Sequence, residues 1–222
     1  RKDYGGKITW VPYEIDTGLW MTIFSNVNED VIFDGGHAFL NVENCTNQDV
    51  YIGPYILKAQ DDVYISGRGV LPDVWNKSQL KMSSGGVFLN TESLYDRAAM
   101  EKKGENYYRN FAWYTVSIKE EDLDTLYSCI KAYGNYGPTN NCTHFASKTW
   151  NRIVDESYKV CETGSPFVLK NYLVDTLGAE TATELLIDDK DETAQLIFDS
   201  NGDLMPFVLN TVPYSKAIDT LI

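Results

Sequence analysis

The chain has 222 residues, enough to bury one sizeable core and close to the size at which a small second subdomain forms. Its 43% hydrophobic and 13% aromatic content describes a folded protein and excludes a disordered tail. A formal charge of −13, from 32 acidic against 19 basic residues, argues against a phosphate-binding groove, so nucleic acid is set aside as a partner, whereas a neutral or amine-bearing peptide is tolerated. No apolar run is long enough to span a bilayer, so stable membrane insertion is not expected.

In chain order, "KITWVPYEI" at 7–15 and "LWMTIFSNV" at 19–27 alternate as strands around an Asp-Thr-Gly turn. Three β-rich runs, at about 37–43, 50–57 and 62–66, then read as a meander punctuated by polar turns. Residues 67–90 are rich in Gly, Pro and Ser and read as a long loop ending in a short strand, "GGVFLNTE". A helix is expected within 92–108, followed by an alternating strand at 110–118. "KEEDLDTLYSCIKAYG" at 119–134 places Leu123, Leu126, Tyr127 and Ile130 at helical spacing, with acidic residues first and Gly134 last. "NNCTHFASKTWNRIVDESY" at 140–158 offers Asn140 or Asn141 as a cap, so Cys142 falls at a helix N-terminus. The tail reads as two short helices, "SPFVLKNYLVDTL" and "ETATELL", and two strands around an Asn-Gly turn. The expected organisation is a main domain over 1–163 and a helical and hairpin appendage over 164–222.

A thiol at a helix start feels the positive end of the dipole, which favours the thiolate, and the neighbouring N–H groups can hold an oxyanion. Such a nucleophile needs a base, and the chain has only two histidines. His144 lies two residues after Cys142, which on a helix turns it roughly 200° away. It reads better as a polar first-turn residue bonded to a loop. His37 begins a strand after two glycines that permit another element to approach closely. Asn44 and Asp49 are the candidates for the group that orients its imidazole, with Tyr51 also in range, and spacing does not choose between them.

"GHAFL" upstream and "NNCTHFASKTWN" downstream resemble the circularly permuted branch of the NlpC-type, papain-like cysteine hydrolases, in which the histidine strand precedes the cysteine helix. "NCTHF" is similar to the Asn-Cys-x-His-Phe signature of the lecithin:retinol acyltransferase group, and the intervening pattern resembles uncharacterised secreted proteins of Gram-positive gut bacteria. The resemblance covers roughly residues 30–155. It implies an α+β fold with an antiparallel sheet packed on a cysteine-bearing helix, Cys142 as nucleophile and His37 as base. It also implies an amidase or peptidase acting without a cofactor or metal on a peptide or peptidoglycan fragment. The acyltransferase group has a second histidine where this chain offers only Asn or Asp, which weighs against acyl transfer; a catalytically silent binding module of the same fold is the alternative. The beginning at "RKDYGGKITW", without methionine, fits either a trimmed chain or a mature form whose signal peptide has been removed, and the second is the expectation for a secreted or cell-surface bacterial protein.

Other features have plainer readings. Glu92, in "NTES", either contacts the site from the long loop or caps the next helix, and the cap is the preferred reading; "DSNGD" at 199–203 reads as a hairpin turn rather than a calcium loop, and "DDKDE" at 188–192 as a solvated surface. Cys129 and Cys161 read as structural or incidental, with a bridge among Cys45, Cys129 and Cys161 left open.

Overall fold

A computed structural model describes residues 18–27, 36–69, 85–93, 109–134, 136–185, 187, 190, 195–199 and 201–206. The expected strand at 7–15 and most of the expected helix at 92–108 lie outside these residues. The fold is α+β. Strands β1 (Leu19–Asn26), β2 (His37–Asn44), β5 (Asp61–Gly69), β6 (Gly85–Leu89), β7 (Arg109–Ile118), β8 (Glu180–Glu184), β9 (Leu196–Phe198) and β10 (Leu204–Pro206) form one antiparallel sheet of eight strands in the order β10-β9-β6-β5-β2-β1-β7-β8. The run at 50–57 is a hairpin of its own, β3 (Val50–Ile52) and β4 (Tyr55–Leu57). Its turn needs Gly53, which has φ 57° and whose absent Cβ would lie 2.4 Å from the Tyr127 ring.

Strand alternation sorts the large sheet into two unlike faces. Leu19, Met21, Ile23, Ala38, Leu40, Val42, Val63, Ile65, Val87, Leu89 and Ala112 point to one side and are buried under helices. These helices are α1 (Glu120–Ala132), α2 (Cys142–Ile153) and α3 (Pro166–Leu177). The α1 helix begins with Glu120, Glu121 and Asp122, whose carboxylate accepts the Lys119 N–H at 2.8 Å, and it buries Leu123, Leu126 and Ile130. Pro166 opens α3 after the Ser165 cap, and Gly178 closes it with φ 67°. The α2 helix lies over β2, β5 and β1, and α3 lies over β1 and β7. On the opposite face Phe39, Tyr64 and Phe111 are buried with Ile187, and Phe24 stacks on Phe39 at 4.8 Å between ring centroids.

The tail departs from expectation in two ways. "ETATELL" does not form a helix: Glu180–Glu184 is β8, paired with β7, because the chain leaves α3 through Gly178 directly beside that strand's open edge. Residues 164–222 are also not a separate appendage in their described part. The β8 strand closes one edge of the sheet and β9 with β10 closes the other, on β6. Among the described residues no helix is long and apolar enough to cross a membrane.

Candidate active site

Cys142 is the first residue of α2, as its sequence context predicts, and Asn141 is the cap. The Asn141 side-chain oxygen accepts the N–H groups of Thr143 and His144, both at 3.1 Å, and its amide donates to the Gly164 carbonyl at 2.8 Å. The Cys142 Sγ lies 3.9 Å from the Thr143 hydroxyl, and the residue is buried. One turn further on, Phe145 presses on β5 at Gly67, where a Cβ would come within 2.7 Å of the Phe145 Cβ. Gly67 lies two residues beyond the Leu40–Ile65 pair, beside Ala38, so the N-terminus of α2 sits at the end of the sheet where β2 begins.

The corner Gly164–Pro166 ties that end together. Gly164 holds Asn141, Ser25 donates to the Pro166 carbonyl at 2.8 Å, and the absent Cβ of Gly36 would lie 3.0 Å from the Pro166 Cβ. Gly36 has φ 144°, and its absent Cβ would meet the Asn26 carbonyl at 2.1 Å, so only glycine fits immediately before His37. The glycine does permit the close approach that the sequence implied.

His37 starts β2, with its backbone N–H held by the Asn26 side chain at 2.9 Å. Its imidazole Nε2 lies 3.3 Å from Glu92 Oε1, and the two side chains are only 4% and 1% exposed. Glu92, which the sequence reading assigned to a helix cap, is therefore the carboxylate at His37. Its partner is 55 positions away, and no local pattern announces the pairing. Asn90, at φ 56°, turns the chain after β6 and delivers Glu92 to this position.

Asn44 and Asp49 do not orient His37. Asn44 ends the same strand that His37 begins, about 23 Å away at roughly 3.3 Å per residue. Its amide donates to the carbonyls of Gln48, Leu57 and Lys58, and its oxygen accepts from Thr46, so it is a buried clamp for the loop and hairpin after β2. Asp49 is a surface residue bonded to Lys58 at 2.7 Å and to the Ala59 N–H at 3.0 Å, and these two donors hold its carboxyl below the usual range. Tyr51 is exposed on β3.

The two principal residues share an end of the sheet but not a face. The His37 ring stacks on Phe39 at 5.6 Å, on the aromatic side, whereas α2 and Cys142 pack on the aliphatic side. Strand β2 stands between them in this arrangement. His144 stays out of the site, as its spacing indicates: its Nδ1 is 3.2 Å from the Asn141 oxygen, and its ring covers Gly164. Burial, with the Lys148 ammonium, holds the His144 pKa below the ordinary histidine value against the opposing pull of Glu162. All four cysteines are free thiols.

No family model, curated protein or solved structure matches the chain.

Proposed function

We propose that the chain is a thiol-dependent amide hydrolase of permuted papain-like organisation, with Cys142 as nucleophile, His37 as base and Glu92 as the group that orients His37. The buried His37–Glu92 pair carries this reading. An ionisable pair among aromatic side chains gives up hydration that its mutual attraction only partly returns, so stability alone is a weak reason to keep it. A histidine with a carboxylate behind it is the arrangement a general base requires.

In the reaction the Cys142 thiolate attacks the substrate carbonyl, forming a C–S bond and a tetrahedral oxyanion beside the start of α2. His37 gives its proton to the leaving amine as the C–N bond breaks. It then takes a proton from water, whose oxygen displaces sulfur and releases the acid. The resting ring faces Phe39, on the side of β2 away from Cys142, so rotation about χ1 alone does not deliver it and the step requires the backbone at the start of β2 to shift. The acidic surface suits neutral or amine-bearing peptides, of which cell-wall stem peptides outside a bacterial cell are one source.

The test is the pH dependence of Cys142 alkylation by iodoacetamide, resolved by peptide mass spectrometry, in the parent, His37→Ala and Glu92→Gln. Alkylation persisting well below the free-thiol pKa of about 8.5 and lost in both variants supports the assignment. A second reading, a catalytically silent binding module, is favoured by the separation of His37 and Cys142 on opposite faces. It predicts slow alkylation indifferent to either substitution.

A further inference from the structure

Beyond α3, on the side away from α2, the helix flank and the outer strands β7 and β8 enclose a cleft of about 450 Å³, within the range of small-ligand sites. Six polar side chains line it: Asn110, Lys170, Asn171, Asp175, Thr181 and Thr183. None of the six makes a side-chain hydrogen bond or ion pair with another described residue. This contrasts with the α2 terminus and the loop after β2, where Asn141, Asn44 and Asp49 are all engaged. Asn110 also has φ 50°, a left-handed conformation at the start of β7.

We propose that this cleft binds a short peptide through both of its charged ends. Among the described residues that line it, Lys170 and Asp175 are the only charged ones, and they have opposite sign. They are five residues apart on α3, about 7.5 Å along the helix axis and roughly 140° around it, so they stand at the two margins of the helix face that carries Asn171 and Val174, as the two ends of one extended ligand require. Lys170 takes the carboxylate and Asp175 the ammonium. The amides and hydroxyls between them meet the peptide groups, and Val174 supplies an apolar contact. A purely anionic ligand is disfavoured by the charge of −13, and a single carboxylate is too few for a dedicated cation site. The cleft is separated from Cys142 by α3, so it stands or falls independently of thiol chemistry.

The test uses the full chain and saturation-transfer NMR titrations with trialanine, N-acetyltrialanine and trialanine amide. Trialanine is expected to bind, and each capped peptide to bind about fivefold more weakly, the size of one exposed ion pair. In Lys170→Met the amide and the free acid should bind alike; in Asp175→Asn the acetylated and free amines should bind alike. Both side chains lie at the surface, so thermal melting of both variants should match the parent. No transfer from trialanine, equal affinity for all three peptides, or discrimination that survives both substitutions overturns the proposal.

Discussion

The two faces of the large sheet are built on different terms. On the helical face the buried side chains are almost all aliphatic, and closure depends on shape: Phe145 fits only because residue 67 has no side chain. On the other face Phe24, Tyr64 and Phe111 cluster with Phe39, whose ring stacks on His37, and His37 and its partner Glu92 are nearly inaccessible to water. The first face is packing except for the Cys142 thiol at the start of α2. The second holds ionisable groups whose burial is unfavourable unless something else requires them, so the proposed site draws its base from the second face and its nucleophile from the first.

The largest test of the comparison lies on the aromatic face. Glu92→Leu should lower unfolding stability by about 3 kcal/mol in urea titrations, because His37 loses its buried carboxylate. The double variant His37→Phe with Glu92→Leu should recover most of that loss while abolishing alkylation of Cys142 below neutral pH. If the double variant is as unstable as the single one, the pair is structural and the hydrolase assignment loses its support.

On the helical face, Gly67→Ala should destabilise by about 1–3 kcal/mol, since the new methyl group meets both Phe145 and Tyr133. An unchanged urea midpoint would mean that this face tolerates overpacking and that the contrast in fit is overstated. The smallest effect belongs to His144. Its folded pKa lies below its unfolded value of about 6.5, so its stabilising contribution is complete above that value and lost as pH falls through the folded pKa. Between about pH 7.5 and pH 5 the parent should therefore lose more of its urea midpoint than His144→Gln does. Equal losses would remove His144 as a source of the acid sensitivity.

Local signals were easy to read where they coincide with the tertiary outcome. The apolar spacing of Leu123, Leu126 and Ile130 and the Asn141 cap located α1 and α2, and alternation located β1, β2 and β7. "ETATELL" misled because its weak helical bias yields to an open neighbouring strand, a preference that pairing with β7 overrides. Asn44 and Asp49 misled because proximity in sequence along an extended strand becomes distance in space. Glu92 was hidden for the converse reason, since a turn at Asn90 decides where its carboxylate goes. The face to which His37 points follows from strand parity relative to Ala38 and Leu40, but only once it is known which of those residues the helices cover.

The placement of β8, β9 and β10 at the two outer positions also has a consequence for biosynthesis. Among the described strands, β6 and β7 are the flanks of the sheet until residues 180–206 have been made. A nascent chain released only to residue 177 presents two unpaired flanks, each able to recruit a strand from another copy. Forms of this protein cut after residue 177 should therefore self-associate, and the strands that follow α3 act as the fold's own protection against aggregation.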